Sequence, residues 1–427
     1  MRVSPSVIEV RGGIPLQGTV SVDGSKNACL PLLAAAATLG GGVRLTGVPD
    51  SADVASMIRL LDQAGWAVWQ EQSDVGVGAP LGTPVGGLVE AAATRASHYL
   101  VPALLATHGI ARLPWPGGCV AGDRGMQLHF AVYEAFGDRA EVNADGYVVR
   151  AGQRSSRLAK ITLPFRSRGA TIVALLRAVV AGRAVRIEQP NTAPETQAVI
   201  SALRTADWDC TSEASSLTAV PPSTPSTARR SWMVPGDWIE AGTVACAIAA
   251  TGGSGTITGA NADDLVVLVN ALRRLGVATE VEPAALVVDA TTGRPTRNLR
   301  AIATRNPGGL EADFEPALLV AASGRRGRHR FADAINPGRH GNLLPQLARF
   351  GLATKPVSAT ECLIEGPQRL SAATVEATDI RTGTALLVAG CAATGTTVLH
   401  RPAQIRRGHP DLPGKLRALG AEIKESR

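Results

Sequence analysis

A pattern that recurs six times along the chain, at intervals of about seventy residues, constrains the fold more than any other feature of the sequence. Each copy opens with a helix-like run of Ala, Val and Leu that ends at glycine and passes into a β-rich stretch. Residues 30–35 lead to Gly42, 101–105 to Gly109, 171–176 to Gly182, 244–248 to Gly255, 317–320 to Gly327 and 385–388 to Gly395. A second helix follows, with apolar residues three and four apart and glycine at its end. Val54, Ile58 and Leu61 precede Gly65; Leu265, Leu268 and Leu272 precede Gly276; Leu412, Leu416 and Leu419 precede Gly420. The unit is therefore a β/α module with two helices. Small side chains let the first helices approach one another closely, so they are expected inside a domain with the sheets around them.

At 427 residues the chain exceeds one ordinary core, and two domains of three modules each are expected. The fold class is α/β. The Ser/Thr/Pro-rich run 215–231 is the expected linker. Residues 7–22 precede the first module and are expected to pair with the C-terminal half. The domains would then be 1–22 plus 232–427 and, between them, 23–231.

The net charge is +7 and the pI about 9.4, yet the arginines are scattered and only 4% of residues are aromatic. That pattern suits anionic small molecules and argues against nucleic acid as a partner. The six cysteines are dispersed and form no CxxC pair, which argues against zinc and a disulfide framework and suits a reducing cytoplasm. The start of the chain lacks a signal peptide's apolar core, and the apolar run 29–39 is too short for a bilayer. A soluble cytoplasmic protein that needs no metal or cofactor is the expectation; the oligomeric state is left open.

Several polar groups sit at loop-to-helix junctions. Trp115-Pro116-Gly117-Gly118-Cys119 offers a thiol between glycines, with Gly122 and Arg124 after it; a nearby cation favours thiolate. Lys26, in Asp23-Gly24-Ser25-Lys26-Asn27, is one of five lysines against thirty-eight arginines and opens a helix, where an anion is favoured. Arg95, Arg166, Ser167, Arg168, Gly169, Asp313, Arg339, Arg381 and Arg407 occupy comparable junctions. Singly, each is an ordinary capping or solvated residue. Together they predict a cationic site for phosphates and carboxylates.

Gly24-Ser25-Lys26-Asn27, Arg95-Ala96-Ser97, the Pro-Gly-Gly-Cys loop, Leu128-His129, Ala377-Thr378-Asp379-Ile380-Arg381 and Leu416-Arg417-Ala418-Leu419-Gly420-Ala421 resemble the enolpyruvyl transferases, in particular the UDP-N-acetylglucosamine 1-carboxyvinyltransferase branch. The resemblance runs from about Val7 to the end of the chain. It implies two inside-out α/β barrels of three units each. It implies further that Lys26, Arg124, Arg339, Arg407 and Arg381 hold phosphoenolpyruvate and that Cys119 adds to it covalently. Asp313 would be the general base, with Glu311 as its rival. Asn27, Arg95, Gln127, Arg166, Ser167, Arg168, Gly169 and Trp238 would contact the acceptor.

On the acceptor side the sequence departs from the branch. Gln127 stands where it carries an acidic residue, Phe165 where it carries lysine, and Trp238 where it carries arginine. Replacing Arg by Trp removes a cation and supplies a stacking face. Combined with Arg166 and Arg168, these changes imply a specialised paralogue whose acceptor is a simpler uridine nucleotide such as UMP, of the kind found in nucleoside-antibiotic pathways. The alternatives are a cell-wall enzyme acting on UDP-N-acetylglucosamine and an inactive nucleotide-binding paralogue.

Overall fold

Six helices rich in small residues form the interior of the computed structural model, which describes residues 7–82, 88–117, 125–153, 155–224, 226 and 228–426. They are α1 (Lys26–Thr38), α2 (Val101–His108), α3 (Arg168–Ala181), α4 (Trp238–Thr251), α5 (Glu315–Ser323) and α6 (Ile380–Ala392). Sequences such as Ala34-Ala35-Ala36-Ala37 and Val244-Ala245-Cys246-Ala247 present no polar face, and a helix apolar all round must be buried all round. Burial follows. Every residue of α5 is buried, as are all but one of α6.

The chain forms two compact units. A terminal unit holds the described residues up to Asp23 and from Gly236 onward, and a central unit holds those from Gly24 to Pro235. Within the terminal unit α4, α5 and α6 pack on one another; within the central unit α1, α2 and α3 do so. Three sheets belong to each. Those of the terminal unit run Thr374–Glu376, Gly395–His400, Val7–Gly12, Glu422–Ser426; Ala278–Glu282, Ala285–Asp289, Ser254–Thr258, Gln17–Ser21; and Arg300–Ile302, Gly327–Ala332, Glu361–Gly366, Lys355–Ser358. Each has one parallel pair and is otherwise antiparallel. The central unit repeats this arrangement in two of its sheets, and its third has three strands among the described residues.

The N-terminal segment is held by pairing across the sequence. Val7–Gly12 lies antiparallel between two C-terminal strands, and Gln17–Ser21 runs parallel to Ser254–Thr258. The Ser/Thr/Pro-rich run expected as a linker is not where the chain changes units. It contains strand Ser216–Val220, and Arg230–Met233 continues the central unit by pairing with Val43–Thr46. The changeovers fall at Asp23/Gly24 and Pro235/Gly236. Hydrogen bonding within a sheet overrides the composition of the run.

Helix starts are chemically marked. Ser25, Ser167, Asp237 and Asp379 cap α1, α3, α4 and α6 with side-chain oxygens that accept first-turn N–H groups. Close packing then imposes glycine at particular places. A Cβ on Gly242, in the middle of α4, would lie 2.2 Å from the Phe314 ring and 2.8 Å from Leu268. We expect Gly242→Ala to destabilise the protein by about 1–3 kcal/mol through overpacking, despite alanine's better helix propensity; a lowered urea midpoint would register it, and an unchanged or raised midpoint would contradict the packing argument.

Candidate active site

The N-termini of the three inner helices of the terminal unit meet in one chain of charges. Asp313, two residues ahead of α5, receives Arg339 at 3.1 Å on Oδ1 and Arg381 at 2.9 Å on Oδ2. Arg339 is almost fully buried, and it also meets Asp333 at 3.0 Å and donates to the Ala312 carbonyl. Burial works against its charge, but Asp313, Asp333, Glu315 and Asp379 outweigh burial and raise its pKa. Arg381, the second residue of α6, approaches His409 Nε2 at 2.6 Å. His409 Nδ1 in turn lies 4.0 Å from Asp237, the cap of α4.

Beside this chain stands a second cation. Lys415 Nζ is 2.7 Å from Asp23 and pairs with the buried Glu240. Burial is the main cause that lifts the Glu240 carboxyl to about 7, with Asp237 adding to it, while Lys415 and the Asp23 amide pull the other way. The scarcity of lysine that singled out Lys26 applies equally to Lys415, and this signal was open to sequence reading. Glu240 and His409 carried none, because each joins the site through a partner remote in sequence; Asp333 meets Arg339 from the loop just before its helix.

In the central unit, Lys26 is the first residue of α1 and is buried with Asp53, 3.1 Å away. Asn27 follows it, half-buried. Ser167 caps α3 through the Ala170 amide, and Gly169 lies in the first turn. Arg168 faces the fully buried Glu195, with Nε 3.4 Å from Oε2. Arg95 opens the turn Arg95–Leu100 and is half-buried, and Gln127 is exposed at the start of helix Gln127–Ala135. Arg407 follows the helix Ala403–Arg406 and is half-buried.

Two of the residues expected on the acceptor side are engaged within the protein. Arg166 donates to the Pro190 carbonyl at 2.8 Å and the Ala214 carbonyl at 3.3 Å, so its guanidinium staples two loops. Trp238 is 7% exposed and packs edge-to-face on Phe314 at 5.1 Å; the ring is engaged with the core and is not an open stacking face. Phe165, by contrast, is 41% exposed.

Cys119 and Arg124 lie outside the described residues. The other five cysteines are all buried, and burial pushes each thiol up, Cys210 to about 11 and Cys362 and Cys391 to about 12. None of those five is a thiolate at neutral pH.

This architecture is shared with known proteins. The family model for EPSP synthase (3-phosphoshikimate 1-carboxyvinyltransferase) matches residues 10–416. UDP-N-acetylglucosamine 1-carboxyvinyltransferase 3 of Symbiobacterium thermophilum is 32% identical over 428 residues, covering 99% of this chain and 98% of that one. The UDP-N-acetylglucosamine 1-carboxyvinyltransferase of Acidiphilium cryptum is 33% identical over 425 residues, covering 98% and 99%. Among solved structures, the enolpyruvyl transferase NikO from Streptomyces tendae superposes with a TM-score of 0.83 at 24% identity over 99% of both chains. EPSP synthase from Acinetobacter baumannii gives 0.77 at 17% identity, covering 99% of this chain and all of that one. The chain belongs to the EPSP synthase/enolpyruvyl transferase family. It is an enzyme of that class, a transferase of the 1-carboxyvinyl group of phosphoenolpyruvate. No described helix is long and apolar enough to cross a membrane.

The site's titration makes a stability prediction. Burial, and after it the charge of Arg95, holds His129 down to about 4, against about 6.5 in an unfolded chain. A histidine with a depressed folded pKa favours the fold when neutral. Its contribution is complete above pH 6.5 and is lost as pH falls toward 4, which amounts to about 3 kcal/mol from this residue. Urea denaturation between pH 7 and 4 should show that loss, and His129→Gln should flatten it; equal slopes for the two proteins would refute the assignment.

Proposed function

We propose that the protein transfers the enolpyruvyl group of phosphoenolpyruvate to a sugar hydroxyl of a uridine nucleotide, with UMP as the acceptor class the residues favour. The observation that carries the donor half is Asp313 held between Arg339 and Arg381. A carboxylate bridged by two guanidiniums is a weak base. Phosphoenolpyruvate brings a carboxylate and a phosphate that compete for the same N–H donors, and as they take Arg339 and Arg381 the Asp313 oxygens become free to accept the acceptor's hydroxyl proton. Glu311 is the weaker candidate for this role, because the two guanidinium bridges end on Asp313.

The remaining steps follow from the chemistry of the enol ester. The acceptor oxygen bonds to C2 while C3 takes a proton, giving a tetrahedral phosphate ketal. Loss of inorganic phosphate from C2 and of a proton from C3 leaves the vinyl ether. Lys26 and Arg407, with Arg124, supply further cations for the charge that develops on the departing phosphate. Cys119 remains our assignment for the thiol that adds covalently to phosphoenolpyruvate and assists proton transfer at C3. It is the cysteine left once the five buried thiols are set aside.

The acceptor half rests on the first turn of α3. Ser167, Arg168 and Gly169 present a helix N-terminus to an anion, Arg95 lies close enough to act on the same buried side chains, and Phe165 offers an exposed ring where related enzymes carry lysine. A terminal phosphate on a short nucleotide suits this turn better than an extended diphosphate ester that needs a further cation. The engaged Arg166 and the buried Trp238 weaken the original contrast with cell-wall enzymes. A second reading, UDP-N-acetylglucosamine as acceptor, draws on the names of the relatives more than 30% identical to the chain.

Two measurements test these assignments. Phosphate release from phosphoenolpyruvate should depend on UMP and exceed that with UDP-N-acetylglucosamine; the reverse preference would establish the second reading, and release with neither would favour an inactive paralogue or another acceptor. With the productive acceptor, Asp313→Asn should lower kcat by about 10²–10⁴-fold and Glu311→Gln by far less. The epoxide fosfomycin should alkylate Cys119, seen as an adduct on that peptide by mass spectrometry, and an adduct confined to another cysteine would remove the thiolate assignment.

A further inference from the structure

Under the first turn of α3 lie two histidines whose ring nitrogens are largely unused by the fold. His98 is 5% exposed and His129 6%, and their rings meet edge-to-face with centroids 4.5 Å apart. His98 Nδ1 lies 2.6 Å from the Arg95 carbonyl, which fixes a proton on Nδ1 and leaves a lone pair on Nε2. That Nε2 and the Nε2 of His129 are buried without a hydrogen-bond partner among the described residues, while the Met126 carbonyl serves the His129 ring from the start of its own helix. Both Nε2 atoms are aimed at the same place. A Cβ on Gly169 would stand 2.6 Å from His129 Nε2 and 3.3 Å from His98 Nε2, so the glycine at this turn brings the imidazole edges against the helix N-terminus.

A buried polar atom left unpaired is costly, and two against one glycine need an explanation that packing does not supply. The surrounding charges indicate one. Arg95 acts on both rings from the turn Arg95–Leu100, and Arg168 and its partner Glu195 act on the adjoining Tyr99 from α3 and from helix Pro194–Arg204. The Met126 carbonyl acts on His129 from the start of its own helix. Burial, with the charge of Arg95 adding to it, keeps the rings neutral while no anion is bound. An anion on the turn reverses that field.

We propose that the His98–His129 pair is a proton-linked sensor for the acceptor's phosphate: as the phosphate docks on the first turn of α3, the pair takes up one proton from solvent and holds it at an Nε2 beneath the turn. The inference rests on the acceptor reading of α3 and adds two positioning residues to it. The empty state is neutral at pH 7, since burial holds both imidazoles below their usual range, His129 at about 4. A dianion at hydrogen-bonding range is strong enough, at the effective dielectric of a protein site, to restore protonation near neutrality. The bound complex then has a buried imidazolium matched to a doubly charged phosphate. An acceptor with less charge at that phosphorus gains less.

Calorimetric titration of the full chain with UMP at pH 7, in two phosphate-free buffers of different ionisation enthalpy, counts the protons exchanged. Wild type should take up a large fraction of one proton more than either His129→Gln or His98→Gln, a difference that cancels the nucleotide's own ionisation. The wild-type acceptor KM should rise as pH increases from 6 to 8.5 with kcat little changed, and the variants should lose that slope. A structural role alone would lower Tm without altering the proton count. Equal proton counts in wild type and a folded variant overturn the inference and leave the acceptor reading untouched. Uptake seen with UDP-N-acetylglucosamine but no binding of UMP would uphold the sensor and reject the monophosphate acceptor. Should one variant fail to fold, the other decides between these outcomes.

Discussion

Helix contact at the distance of a single methyl group governs each unit. Three helices that bury nearly all their faces can share one interior only if the side chains between them are small, which is why alanine and glycine recur at intervals of about seventy residues. The same demand fixes what stands around them. Sheets supply the outer wall because a sheet can bury one face and expose the other, and the alternating burial of Val7–Gly12 and Gly395–His400 is that division in practice. Gly242 against Phe314 marks where the contact is tightest.

Helices packed in this way leave their first turns as the places where polar chemistry can gather. The interior is mostly apolar, whereas each first turn has N–H groups with no partner inside the helix, and in α1, α3, α4 and α6 a capping side chain takes one or two of them. In the terminal unit the starts of α4, α5 and α6 are joined through Asp237, His409, Arg381, Asp313 and Arg339. In the central unit Lys26 begins α1, and Ser167 to Gly169 begin α3. The charged clusters are thus placed by the same constraint that shapes the core.

What the sequence makes legible is whatever repeats locally or sits in a turn. The six modules, the small-residue helices and the α/β class are all short-range patterns, and the family's motifs lie mostly at helix starts where one residue type has one job. Pairings between different elements of the chain leave no such mark. Glu240 with Lys415, or Asp53 with Lys26, becomes visible only when the modules are assembled. The surroundings of one arginine and one tryptophan are illegible for a related reason: Arg166 could have met a ligand or two carbonyls, and Trp238 a nucleotide or Phe314, with identical sequence. His98 escaped notice because a histidine in a buried turn is ordinary until its unpaired Nε2 is seen against Gly169.

The net charge of +7 therefore misstates how the protein would hold anions. Its buried cations in these clusters are already matched: Arg339 by Asp313 and Asp333, Arg381 by Asp313, Lys415 by Asp23 and Glu240, Lys26 by Asp53. A buried cation with no partner would be expensive, so the fold carries internal carboxylates that an anionic ligand must displace. Ligand binding is then an exchange of one set of charge-assisted hydrogen bonds for another, and its net gain is modest compared with the bare Coulomb attraction. The exchange has a second product. A carboxylate released from a guanidinium is a stronger base than before, and under the role we propose for Asp313 that increase would arise only when the donor is in place. On that proposal, affinity is traded for a base that is created by the substrate's arrival.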